Sequence, residues 1–113
     1  MSDFLEIEDL SSDDLRTIIE DSGAIKKSRA MMSKGAPDRV LSLDNCVIAL
    51  LFAKPSTRTR FSFEVGINQM GGKAISVSEN DMQLANGEKI SDTAQVLSQY
   101  VDLMVLRLSL IHI

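Results

Sequence analysis

The chain has 113 residues, 44% of them hydrophobic and 25% charged, which suits one small globular domain large enough to bury a core. Its formal net charge is -4, and this argues against nucleic-acid binding as the main business, because duplex binding draws on an excess of Lys and Arg. Any positive site has to be local.

The start, MSDFLE, is acidic and lacks the basic lead and apolar centre of a signal peptide. The longest apolar run, residues 47–53, falls far short of the ~20 residues that span a bilayer. A cytoplasmic setting is therefore expected. The single cysteine, Cys46, excludes an internal disulfide and reads as an inert thiol buried inside a strand. Paired only with the lone His112, it offers no recognisable metal spacing.

In chain order, LSSDDLRTIIEDSGAIKKSRAMM reads as the first helix. Ser11 or Ser12 caps it, Asp13 and Asp14 suit its positive end, and Lys26, Lys27 and Arg29 suit its negative end. Leu15, Ile18, Ile19 and Ile25 fall mostly on one face, so the helix is expected to pack on something larger. Gly35 and Pro37 stop it. NCVIALLF is a short continuous apolar run, the pattern of a strand buried on both faces in a parallel sheet.

Phe63, Ile67 and Met70 then recur at helical spacing and predict a second helix over about residues 59–70, ended by Gly71 and Gly72. KAISVS predicts another strand, residues 79–88 a polar loop, SDTAQVLSQYV a third helix and DLMVLRLSL a last strand. Strand, helix, strand, helix, strand is the α/β order, with a parallel sheet flanked by helices in three layers.

The stretch PSTRTR stands between the first strand and the second helix. Ligands of parallel α/β sheets collect at the carboxyl ends of strands, where the free N–H groups and dipole of a helix N-terminus favour an anion. Ser56, Thr57 and Thr59 add hydroxyl donors there, and Arg58 adds a planar fork that matches phosphate oxygens. The residues alone thus point to a phosphate or carboxylate site; a well-capped helix with solvated arginines is the alternative. Arg60 lies four residues before Glu64, which predicts an intrahelical ion pair rather than a ligand contact. GINQMGGK nearly spells a nucleotide-binding P-loop. Its extra glycine, its missing hydroxyl after the lysine and its place at a helix end make it a helix stop.

FAKPSTRTRFSFEVGINQMGG, then DMQLANGEKISDTAQVLSQYVD, then VLR closely resemble the carbamoyl-phosphate-binding half of the aspartate/ornithine carbamoyltransferase family, and QLANGE looks more like the ornithine members. The resemblance covers about residues 4–107. It implies that Ser56, Thr57, Arg58 and Thr59 hold the phosphate of carbamoyl phosphate, with Arg58 and Thr59 also reaching toward its carbonyl oxygen. Arg107 matches the second substrate-binding arginine, so Arg58 and Arg107 are the implied catalytic pair. Gln83 matches a loop residue that reaches a neighbouring subunit's active site in the family's trimers. Arg60 and Glu88, with Glu64, look structural. The implied reaction is attack of ornithine's δ-amine on carbamoyl phosphate, giving citrulline and phosphate with no metal and no organic cofactor. A putrescine or other amine carbamoyltransferase is the nearest rival, and a non-catalytic anion-binding or interaction module is the alternative from another class.

The family's chains are more than twice as long. Their His-Pro-Gln segment, cysteine-containing loop and amino-acid-binding second domain have no counterpart here, so the expectation is a partial carbamoyl-phosphate domain over residues 1–107 that lacks turnover alone. LSLIHI, residues 108–113, does not resemble the family's continuation and reads as a non-native tail, which leaves His112 without a role.

Overall fold

The computed structural model describes residue 4 and residues 6–52, 56–78 and 89–107. The chain divides into two compact units, Met1–Ser33 and Lys34–Ile113.

The first unit holds a short 3-10 turn, Ile7–Asp9, and helix α1, Ser12–Ser28. Its start is closed by its own sequence. The Ser11 hydroxyl accepts from the Asp14 N–H at 3.0 Å, and the Asp14 carboxylate accepts from the Ser11 N–H at 3.4 Å, a complete capping box. The helix ends four residues earlier than its apolar pattern suggests, with Arg29 as its last cap and turns over residues 29–31. None of its residues is buried, and Ile18, Ile19 and Ile25 are at least half exposed.

The second unit is a three-stranded parallel sheet with order β2-β1-β3, made of β1 (Val47–Phe52), β2 (Lys73–Val77) and β3 (Leu103–Arg107). Helices α2 (Thr57–Gln69) and α3 (Ile90–Leu97) connect them. The continuous apolar run does become the central strand, and five of the six residues of β1 are buried. Alternation along each strand sends side chains to opposite faces. Ile48, Leu50 and Phe52 pack with Ile67 of α2, joined by Ala74, Leu103 and Val105. Ala49 and Leu51 face the other way, against Leu97 and Val101 at the end of α3, with Val77 and Met104. Helix, sheet and helix are thus three layers. Each fully buried aliphatic side chain of β1 contributes roughly 1.5–3 kcal/mol.

The expected helix stop is present. Gly71 has φ 87°, a left-handed conformation that glycine adopts without a Cβ penalty, and Gly72 leads directly into β2. Cys46 corrects its expectation: it lies one residue before β1 and is half-buried, its N–H bonded to the Leu43 carbonyl at 3.0 Å. The strand starts at Val47 because Asp102 grips that residue twice. The Asp102 N–H donates to the Val47 carbonyl and the Asp102 carboxylate accepts from the Val47 N–H, both at 2.8 Å. Residues 108–113, and with them the expected non-native tail, lie outside the described residues.

Candidate functional site

Helix α2 begins two residues earlier than its apolar spacing suggests, at Thr57, with Ser56 as the residue before its first turn. Pro55 disfavours helix only at Lys54, so nothing delays the turn beyond Ser56. Thr57, Arg58 and Thr59 are consequently helical, and the first intrahelical bond runs from the Arg60 N–H to the Ser56 carbonyl at 2.8 Å. The N–H groups of residues 57–59 precede it and have no partner within the helix.

Among the described residues, the N-cap side chain does not close this end. Ser56 makes no cap hydrogen bond, and the first turn of α2 carries no acidic residue. In α1 both devices are present. The two helix starts thus differ: a capping box closes α1, whereas the Ser56 hydroxyl caps nothing at the start of α2 among the described residues. At the positive pole of α2, Arg58 is exposed on the first turn and Thr59 is half-buried.

Strand β3 supplies the other side. Arg107 is its last residue and pairs in register with Phe52, the last residue of β1. Alternation places Arg107 on the same face as Leu103 and Val105, which is the face that α2 covers. Its guanidinium Nη1 donates to the Thr59 Oγ1 at 2.6 Å. Residues 48 positions apart in sequence therefore meet at the carboxyl edge of the sheet.

Arg60 and Glu64 depart from their expected ion pair. The Arg60 guanidinium lies over the Phe61 ring, 5.5 Å from its centre, where the electron-rich face attracts a cation. The Glu64 carboxylate instead accepts a hydrogen bond from the Ser76 hydroxyl of β2. The physical reason is that Glu64 is half-buried while Arg60 overhangs in solvent, so the carboxylate takes the partner on the strand beneath it. Ser76 is the residue that spacing arguments missed. Its signal was faint: it shares strand parity with Ala74, which packs on the α2 face. Gln83 and Glu88 lie outside the described residues. Among the described residues no group of three or more His, Cys, Asp or Glu side chains is placed to hold a metal ion, and no helix is long and apolar enough to cross a membrane.

Fold and turn together define a parallel α/β domain that presents backbone N–H groups, hydroxyls and two guanidinium groups at one edge of its sheet. Residues 2–112 match the family described as aspartate/ornithine carbamoyltransferase, carbamoyl-P binding domain. The chain belongs to that family. It is 50% identical over 107 residues to an ornithine carbamoyltransferase of Ruegeria pomeroyi, an alignment covering 95% of this chain and 35% of the relative. Among solved structures it is similar to the ornithine carbamoyltransferase of Pyrococcus furiosus, with TM-score 0.75 and 40% identity over 90% of this chain and 31% of the other. The catalytic subunit of M. jannaschii aspartate transcarbamoylase superposes with TM-score 0.76 at 28% identity, covering 95% of this chain and 34% of that one. The chain thus spans about a third of the length of the relatives it matches.

Proposed function

We propose that this chain carries the carbamoyl-phosphate half of an ornithine carbamoyltransferase site. The observation that carries the reading is the first turn of α2, which among the described residues has no side-chain cap from Ser56 and no acidic residue, joined to Arg107 through Thr59. In this reading the N–H groups of residues 57–59, the hydroxyls of Ser56, Thr57 and Thr59, and the Arg58 guanidinium hold the phosphate. Arg58, Thr59 and Arg107 meet the carbonyl oxygen.

The chemistry follows from where charge develops. The uncharged δ-amine of ornithine attacks the carbonyl carbon and forms the new C–N bond. Electron density moves onto the carbonyl oxygen, then returns as the C–O bond to phosphate breaks. Phosphate departs with that electron pair, the attacking nitrogen loses a proton, and citrulline remains. Fixed donors aimed at the oxygen and the leaving phosphate lower the barrier by electrostatic preorganisation. A held carbamoyl phosphate also removes much of the entropic cost of encounter.

Ornithine is preferred as acceptor because relatives bearing that name reach 50% identity, against 28% for the aspartate enzyme structure. Gln83 and Glu88 keep the roles that the resemblance implies, a contact into a neighbouring site and a brace. A homotrimeric assembly, a cytoplasmic setting and a place in arginine metabolism belong to the same reading. Calorimetric titration of the 113-residue chain with carbamoyl phosphate tests it. Saturable binding that inorganic phosphate competes away is expected; absence of saturable binding contradicts the reading.

A further inference from the structure

Two side-chain hydrogen bonds tie α2 to the sheet among the described residues, and they reach different outer strands. Near the helix start, Thr59 accepts from Arg107 of β3 at 2.6 Å. Five residues on, Glu64 accepts from the hydroxyl of Ser76 of β2. Strands β2 and β3 flank β1, so the two bonds straddle the central strand. At about 100° per residue, Thr59 and Glu64 stand on either side of a stripe that contains Phe63 and Ile67. Ile67 is buried against β1, and the Phe63 ring meets that of Phe52 at 6.2 Å.

Apolar contact is non-directional and leaves a helix room for small rolls and slides over a sheet. A directional bond on each flank removes that freedom. The second bond is made by a carboxylate, which strengthens it. The donors at the head of α2 move with the helix, so their aim depends on its roll.

We propose that Glu64 is a positioning residue for the anion site. Through Ser76 it fixes the roll of α2, so that the N–H groups of residues 57–59 and the Arg58 guanidinium face Arg107. The inference rests on the anion-site reading and adds to it a residue that touches no ligand. Arg60, one turn before Glu64, does not compete for the carboxylate because its guanidinium lies over Phe61.

The test titrates the 113-residue chain with carbamoyl phosphate as wild type, Ser76→Ala, Glu64→Ala, Glu64→Gln and the double alanine variant, with a thermal midpoint for each. Ser76→Ala and Glu64→Ala are each expected to weaken binding about threefold to tenfold, and the double variant to be no weaker than the worse single one. Glu64→Gln retains an oxygen acceptor and is expected to stay within about twofold of wild type. A brace with no positioning role lowers the thermal midpoint while the folded protein keeps its wild-type affinity, and that outcome overturns the proposal. Wild-type protein that binds no carbamoyl phosphate overturns the anion-site reading and this proposal together. Wild-type binding with unchanged affinity in Ser76→Ala overturns the proposal alone.

Discussion

The Arg107 guanidinium donates to the Thr59 hydroxyl at 2.6 Å, joining the last residue of β3 to the first turn of α2. The bond orients a long, exposed side chain across the sheet's carboxyl edge. Arg107→Lys keeps the charge and loses the planar fork, so carbamoyl phosphate affinity is expected to fall about tenfold or more. Thr59→Ser keeps the hydroxyl and is expected to bind within about threefold of wild type, and Thr59→Val to bind far less tightly. Calorimetry on the three variants checks the order.

The two arginines of the turn are expected to separate cleanly. Arg58 stands on the first turn of α2 beside N–H groups that have no partner within the helix, whereas Arg60 rests over Phe61. Arg58→Gln should weaken carbamoyl phosphate binding about tenfold or more. Arg60→Gln should leave it within about twofold and cost well under about 1 kcal/mol of stability, the range of an exposed cation–π contact. Equal losses of affinity in both would contradict the assignment.

A side chain at Gly72 would crowd its neighbours. A Cβ there would lie 3.0 Å from Ile67 Cγ2, 3.1 Å from Leu43 Cβ and 3.2 Å from Ile48 Cδ1. Gly72→Ala therefore overpacks the seam between α2 and β1, and a loss of about 1–3 kcal/mol in urea unfolding is expected. A variant as stable as wild type would show that this seam yields.

Thr93 on α3 is 8% exposed, and its hydroxyl has no hydrogen-bond partner among the described residues. An unpaired buried hydroxyl is a cost that a methyl of the same shape avoids. Thr93→Val is expected to be neutral or to stabilise by up to about 2 kcal/mol, read from the unfolding midpoint. Clear destabilisation would mean the hydroxyl serves a partner in the folded protein.

Much of the architecture was legible from apolar patterning. The unbroken run VIALLF announced a central strand buried on both faces, because only such a strand avoids alternation. The Gly71-Gly72 stop was equally plain, since a positive φ favours glycine. Helix limits were less legible because caps and turns set them. The helix α3 ends at Leu97 although Val101 continues its spacing, with the Tyr100 and Val101 N–H groups both turning back onto the Leu97 carbonyl.

At the candidate site, PSTRTR revealed its donors, and its place after an apolar strand revealed where they stand. The partner of Glu64 was hidden for a physical reason. Spacing along one helix names Arg60 as a neighbour, but only the pairing of β2 beside β1 brings Ser76 beneath the carboxylate. Arg107 lay between these cases. Its strand parity with Leu103 and Val105 aims it at α2, while its contact with Thr59 depends on the register of β3 against β1.

The most direct test of the central claim is a residue-resolved NMR titration of the chain with carbamoyl phosphate. The largest shifts are expected at the backbone amides of Thr57, Arg58 and Thr59 and at the Arg107 guanidinium, saturating together with one affinity. Shifts that are absent there, or that concentrate elsewhere in the domain, would contradict it.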